Sequence, residues 1–209
     1  DGDGIDEVLV GAADGRLYAW HYDGTVVEGW PVMLAEGFRV LATPAVGDLD
    51  GDSSQDVVVP ATDGRLYAFS AAGSAKPGWP VSIGGVEDQF GGQVINSSPQ
   101  MGDLDGNGSL EVVVGSTDQH VYAFNADGSV RWTFETGDMV LSTPAVGDLD
   151  TNVAGLETVV GSGDSYVYAL NSEGGLIWKR PMGWTVRSSP ILADMDGDLD
   201  LEIIIGSDD

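Results

Sequence analysis

The residues whose types and spacing could do chemistry are grouped in short acidic loops. DLDGDSSQD (48–56) and DLDGNGSLE (103–111) carry carboxylate or amide oxygens at positions 1, 3 and 5 and an acid at position 9. DMDGDLDLE (194–202) keeps the pattern, DLDTNVAGLE (148–157) has one inserted residue and Thr151 in place of the glycine, and DGDGIDE (1–7) lacks the first two positions. Alternate side chains of a tight loop aim their oxygens at one centre, and glycine permits the sharp bend. Such a set suits a hard cation: Ca²⁺ takes roughly six to eight oxygens at about 2.3–2.6 Å. Mg²⁺ fits less well, because its octahedral demand usually leaves it holding waters and phosphates. The expected ligands are Asp48, Asp50, Asp52, Ser54 and Asp56; Asp103, Asp105, Asn107, Ser109 and Glu111; Asp148, Asp150, Asn152 and Glu157; Asp194, Asp196, Asp198, Asp200 and Glu202; and Asp1, Asp3 and Glu7. That is one Ca²⁺ site per loop, up to five. One acidic loop alone reads equally well as a solvated turn; five in register do not. The spacing matches the first half of an EF-hand loop, but no helical pattern flanks it.

The loops recur because the sequence around them recurs. ATPAVGDLDGDSSQDVVVPATDGRLYAF (42–69), SSPQMGDLDGNGSLEVVVGSTDQHVYAF (97–124) and STPAVGDLDTNVAGLETVVGSGDSYVYAL (142–170) are one unit, which SSPILADMDGDLDLEIIIGSDD (188–209) begins again and DGDGIDEVLVGAADGRLYAW (1–20) shows already under way. The leading aspartates at 48, 103, 148 and 194 are 55, 45 and 46 residues apart. A period of this length built from several short strands predicts β-propeller blades. Each unit reads as four strands: A (TPAVGD-like), B (EVVVGS-like), C (VYAF-like), and D, which holds Trp30, Trp79, Trp132 or Trp178. Tight turns at Asp14-Gly15, Asp63-Gly64, Asp118-Gln119 and Asp164-Ser165 join B to C, the first two being Asp-Gly hairpin signals. The apolar runs Val57–Val59, Val112–Val114 and Ile203–Ile205 are continuous, as in strands covered on both faces.

The expected fold is therefore all-β: four-stranded antiparallel blades, three complete and two partial, over repeats at about 1–41, 42–96, 97–141, 142–187 and 188–209. These units predict 17 strands, one more than four closed blades need. The chain reads as a section of a larger ring of seven or eight blades, or as one whose spare edge strand pairs with a second copy. Its start at Asp1 rather than Met also reads as an internal or processed piece.

Composition narrows function. With 34 acidic against 8 basic residues the net charge is −26, which excludes nucleic acid and anionic membrane as partners, since both require clustered Lys and Arg. Hydrophobic residues make up 42%, with six Trp, enough for a core, and the 31 glycines are about twice the usual share. There is no cysteine, so no disulfide and no thiolate metal site, and no apolar run approaches a membrane span.

The DxDG(D/N)xxx(D/E) loops, together with the strand ends Gly11-Ala12, Pro60-Ala61, Gly115-Ser116, Gly161-Ser162 and Gly206-Ser207, resemble FG-GAP (VCBS-type) repeats, the calcium-loop blades of integrin α-subunit propellers and of many secreted or surface microbial proteins. The resemblance covers nearly the whole chain. It implies calcium that stiffens the blade edge rather than catalyses, and an extracellular or cell-surface setting. AFNADGSVRW (123–132) and ALNSEGGLIW (169–178) also resemble the tryptophan-docking repeat of quinoprotein propellers, through Gly128/Trp132 and Gly174/Trp178. Gly24/Trp30 and Gly73/Trp79 keep a longer spacing, and the tryptophans read as packing between blades.

No catalytic constellation emerges from the sequence. His21 and His120 belong to no recurring pair and no nucleophile motif accompanies them. Tyr18, Tyr67, Tyr122 and Tyr168 share one strand position and read as core. The least repetitive segments are the D–A connections, on the rim opposite the acidic loops, as a binding face would be. They hold Phe38 and Arg39; Glu87, Asp88, Gln89 and Phe90; Asp138 and Met139; and Trp184 and Arg187. Phe38, Arg39, Phe90, Trp184 and Arg187 are the candidate ligand-binding residues, for an extracellular protein or glycan. The expected function is a non-catalytic, calcium-binding adhesion or ligand-binding module. The alternatives are a propeller of a carbohydrate-active enzyme, such as a polysaccharide lyase, and a surface-polymer subunit that self-associates through its edge strand.

Overall fold

Runs of β-branched residues broken every few positions by Asp-Gly-like turns leave the chain little choice but short antiparallel strands. A computed structural model describes residues 6–85, 97–151 and 154–208, and in them 17 strands form five sheets. Blade one contains β1 (Val8–Gly11), β2 (Arg16–Trp20) and β3 (Val32–Met33). Blade two contains β4 (Ala45–Gly47), β5 (Asp56–Ala61), β6 (Arg65–Ser70) and β7 (Val81–Ser82). Blade three contains β8 (Gln100–Gly102), β9 (Glu111–Gly115), β10 (His120–Phe124) and β11 (Val130–Glu135). Blade four contains β12 (Ala145–Gly147), β13 (Glu157–Gly161), β14 (Tyr166–Leu170) and β15 (Leu176–Pro181), and blade five β16 (Ile191–Ala193) and β17 (Glu202–Ile204). Every sheet is an antiparallel meander in chain order. The fold is the β-propeller that the repeat predicts, and among the described residues no helix is long and apolar enough to cross a membrane.

The core lies between blades. In β5, Val57 and Val59 pack with Leu17, Trp30 and Val40 of blade one, while Val58, between them, packs with Val112, Val114 and Phe124 of blade three. One step along, Val113 turns instead to Val160, Tyr168 and Leu170 of blade four. Period-two alternation thus sends successive side chains to different neighbours, and β5, β9 and β13 are buried along their whole length. The run Ile203–Ile205 departs from that expectation: Ile204 is 43% exposed, because β17 is an edge strand paired to β16 alone.

Tryptophan adds a polar link to three of the four apolar seams. Trp30, Trp79 and Trp132 donate their indole Nε1–H to the carbonyls of Ala71 (2.8 Å), Ala126 (3.0 Å) and Ser172 (3.0 Å) in the following blade. Gly174 stands at φ +76, and a Cβ there would come within 2.7 Å of the Trp132 ring, so this turn can only be glycine. The inner strands β4, β8, β12 and β16 are neighbours in succession. Just ahead of them the backbone N–H of Thr43, Ser98 and Thr143 donates to the hydroxyl of Ser98 (3.0 Å), Thr143 (3.3 Å) and Ser189 (3.0 Å), one blade to the next. This stair of hydroxyls borders a cavity of about 510 Å³, lined also by Val46 and Met101.

Candidate functional site

The acidic loops join the inner strand of a blade to its second strand, and their own carboxylates shape them. In 48–56 the Asp48 carboxylate accepts the N–H groups of Asp52 (3.0 Å) and Ser53 (2.8 Å), and Asp52 accepts that of Ser54 (2.7 Å). Loop 103–111 repeats this through Asp103, with Asn107 (3.0 Å) and Gly108 (2.9 Å), and through Asn107, with Ser109 (2.7 Å). In 194–202 Asp194 holds Gly197 (2.7 Å) and Leu199 (3.1 Å). Position 4 is left-handed in all three, at Gly51, Gly106 and Gly197, as the motif requires. Position 6 is left-handed too, at Ser53, Gly108 and Leu199, which the motif does not announce.

The last acid closes four of the loops. Asp56, Glu111, Glu157 and Glu202 accept the backbone N–H of Leu49 (3.2 Å), Leu104 (2.8 Å), Leu149 (2.8 Å) and Met195 (2.7 Å). One carboxylate oxygen is used in that way and the other remains. Three loops consequently gather acids at positions 1, 3 and 9, with ligand oxygens all within 4.8 Å of one another: Asp48, Asp50 and Asp56; Asp103, Asp105 and Glu111; Asp194, Asp196 and Glu202. These clusters could hold a metal ion. Asp52, Asp198 and Asp200, expected as ligands, are not in the clusters; Asp52 and Asp198 hold backbone N–H groups of their loops instead. The oxygens of Ser54, Asn107 and Ser109 belong to the same two turns.

Burial and basic neighbours set the electrostatics. Asp56 is fully buried and Glu111 nearly so, and desolvation raises both carboxyls above the usual range. Asp56 stays raised although Lys76 Nζ lies 2.9 Å from its Oδ2, and its Oδ1 has no hydrogen-bond partner. The same ammonium is 2.7 Å from Asp50 Oδ2, and that bond lowers Asp50. Burial works against the charge on Lys76, yet its bonds to Asp50 and Asp56 leave it raised. In 103–111, Arg131 Nη1 lies 2.7 Å from Asp105 Oδ2, and against the opposing effect of burial it lowers that carboxyl.

Loop 148–157 differs: Asp148, Asp150 and Glu157 form no such cluster among the described residues. Glu157 is buried and caps Leu149 as its counterparts do, and position 4 is Thr151 rather than a left-handed glycine. Asp1, Asp3, Asn152 and Phe90 lie outside the described residues. Glu7 has His21 Nδ1 at 3.5 Å. Likewise Asp118 Oδ1 lies 3.4 Å from His120 Nδ1. Each histidine thus has a carboxylate near its ring, and His120 Nδ1 lies closer still to the Asp118 carbonyl, at 3.0 Å. The Asp118 carboxylate is already engaged, by the Tyr122 hydroxyl (2.6 Å) and the His120 N–H (3.1 Å).

The candidate ligand residues are dispersed. Phe38 and Arg39 are half-buried in the first D–A connection, where Arg39 N–H donates to Thr62 Oγ1 and Thr62 N–H to the Arg39 carbonyl, both at 2.9 Å. Trp184, 63% exposed, and Arg187, 3.5 Å from Asp208, belong to the fourth. The described cavity is bounded instead by Thr43, Ser98, Thr143 and Ser189. Its signal was present as the Ser/Thr-Pro step recurring at 43–44, 98–99, 143–144 and 189–190.

The family model for an FG-GAP-like repeat matches residues 1–59, and that for a lambda-carrageenase β-propeller domain matches residues 92–179. No curated protein sequence matches the chain. Among solved structures, BBS1N in complex with ARL6DN, soaked with lead, is similar with a TM-score of 0.69 at 17% identity, over 100% of this chain and 56% of that one. The mercury-soaked crystal of that complex gives 0.68 at 17% identity, over 97% and 58%. BamB from Moraxella catarrhalis gives 0.62 at 21% identity, over 91% and 49%. The chain thus spans about half the length of the structures it matches, and what it shares with them is the fold. It is a propeller chain, with FG-GAP-like repeat sequence matched at residues 1–59.

Proposed function

We propose that this chain is a calcium-stiffened propeller module of an extracellular or cell-surface protein, one that binds a protein or glycan ligand and performs no catalysis with its own residues. The observation that supports it is the recurrence of one geometry in three loops: acids at positions 1, 3 and 9 converging while the rest of each loop satisfies its own backbone. The donor set fits a hard cation, being all oxygen, and the buried, unpartnered Oδ1 of Asp56 leaves a desolvated acceptor beside one of the clusters. Asp48, Asp50 and Asp56, then Asp103, Asp105 and Glu111, then Asp194, Asp196 and Glu202, would hold the ions. A bound Ca²⁺ supplies positive charge that ties the loop to the start of the second strand. The chain itself does the positioning: position 1 caps the turn, position 9 anchors the loop to the buried strand, and the interblade seams carry that order around the arc. A ligand that binds only the folded state adds about 2.7 kcal/mol per site at a hundredfold excess over Kd. Differential scanning calorimetry in millimolar calcium and in EDTA should therefore show a clear fall in Tm on chelation. A melt that ignores EDTA sinks the calcium reading.

The lambda-carrageenase β-propeller match over 92–179 favours a second reading, in which the chain is the propeller of a polysaccharide-acting enzyme. Binding to immobilised lambda-carrageenan, with no binding to protein ligands, would support it. A protein partner is the natural expectation from the neighbour crystallised with ARL6DN.

A further inference from the structure

The acidic loops are not equivalent, and the difference lies in a residue outside them. Counting from the turn glycine of each unit, Lys76 occupies the position that is Val27 in the first, Arg131 in the third and Ile177 in the fourth. The chain has only eight Lys and Arg in all, so two basic residues at one repeat position opposite acidic loops are a feature that composition alone would not produce. Lys76 is largely sequestered, with 10% of its side chain exposed, and its ammonium touches two of the three clustered acids, Asp50 at 2.7 Å and Asp56 at 2.9 Å. Those distances are close to calcium–oxygen distances. A divalent ion seated on the same oxygens would meet a unit positive charge at contact range, where an ammonium is a compact point charge. Arg131 does less: among the described residues it makes its ion pairs with the position-3 acid Asp105 and with Glu173, both at 2.7 Å, and acts on Glu111 only at longer range. In loop 194–202, among the described residues, no Lys or Arg pairs with Asp194, Asp196 or Glu202.

We propose that Lys76 is a built-in counter-ion that competes with a divalent cation for loop 48–56, so that this loop stays closed at calcium concentrations too low to fill it, while loop 194–202 depends on the metal. The buried Asp56 Oδ1, left without a partner while the ammonium engages Oδ2, is what keeps the loop able to accept an ion once Lys76 yields. The inference rests on the calcium reading above and adds an order of filling to it.

The test is isothermal titration of calcium into the whole chain and into Lys76→Met, which keeps the length and apolar stem of the side chain. Lys76→Met should gain one site at least tenfold tighter than the wild-type loop 48–56, and its Tm in EDTA should fall and be recovered by calcium. On the wild type, which sidesteps any folding defect of that variant, Asp48→Asn should leave the tight-site titration unchanged while Glu202→Gln removes one tight site. Calcium binding by the wild type with unchanged affinities in Lys76→Met, or loss of a tight site in Asp48→Asn, overturns the role of Lys76 and leaves calcium binding standing. No calcium binding by either the wild type or Lys76→Met overturns both.

Discussion

Blades two, three and four present aspartate on both rims, and the two rims use it differently. On the rim of the B–C turns, Asp14, Asp63 and Asp118 each accept a tyrosine hydroxyl four residues on, from Tyr18 (2.7 Å), Tyr67 (2.6 Å) and Tyr122 (2.6 Å), and Asp164 does the same with Tyr168. The other oxygen of each takes the N–H two residues on, at Arg16, Arg65, His120 and Tyr166, all at 3.1 Å. These carboxylates are single and are satisfied mainly from within the turn, Asp164 also accepting the N–H of Gly137 from the preceding connection (2.8 Å). On the opposite rim three acids converge, and only part of their acceptor capacity meets backbone N–H groups. A carboxylate offers about four lone-pair positions, so donors used are a poor guide; what matters is how many negative oxygens share one place. One rim is stapled by its own hydroxyls, whereas the other gathers negative charge that Lys76 and Arg131 meet in two of its loops.

The largest expected contrast comes from removing one acid on each rim. Glu111→Ala takes away the acceptor for the buried Leu104 N–H, at a cost of about 1–3 kcal/mol without calcium. In saturating calcium it should lose about 2.7 kcal/mol more, as its site no longer contributes. Asp118→Ala loses the Tyr122 and His120 bonds, again about 1–3 kcal/mol, but the same amount with or without calcium. Urea unfolding of both variants in calcium and in EDTA measures the four values. A calcium-dependent loss in Asp118→Ala would erase the distinction between the rims.

Much of this was legible in the sequence, and the exceptions share a cause. Strand count, meander order and blade period follow from the Asp-Gly turns and from valine runs such as Val112–Val114, since each of those residues needs an apolar neighbour on its own side of the sheet. The convergence of acids at positions 1, 3 and 9 could be read because the loop is local. Lys76 could not: it comes 26 residues after Asp50 and reaches it only once the C–D connection folds back over the loop rim. The same holds for the hydroxyl stair, where Thr43 meets Ser98 across 55 residues. Phe38 and Trp184 read as one face because both fall in D–A connections on the same rim, yet they belong to the first and fourth blades. Repetition reveals what each blade does alone; contacts between different parts of the fold depend on geometry that no local pattern contains.

The smallest expected effect concerns the hydroxyls of the stapled rim, and it separates the rims by pH instead of by metal. Burial, reinforced by the Asp63 bond, pushes the Tyr67 hydroxyl up to about 12. Tyr122 and Tyr168 are raised by burial and by Asp118 and Asp164. A free tyrosine ionises near pH 10. A group whose folded value lies above its unfolded one favours the folded state fully below the unfolded value, and that advantage is lost as pH rises through the folded value. Stability should therefore be flat up to about pH 10 and then decline toward about pH 12. Tyr67→Phe should shallow the decline, since one phenol no longer titrates. Neither the onset nor the slope should depend on calcium, because Asp63 and Tyr67 lie on the rim away from the acidic clusters. The ultraviolet phenolate band followed beside the thermal melts, in carbonate-free buffer with calcium or EDTA, reads both quantities. A decline that moves with calcium would mean that the two rims are energetically one unit, coupled through the buried second strand that runs from Asp56 to the turn at Asp63.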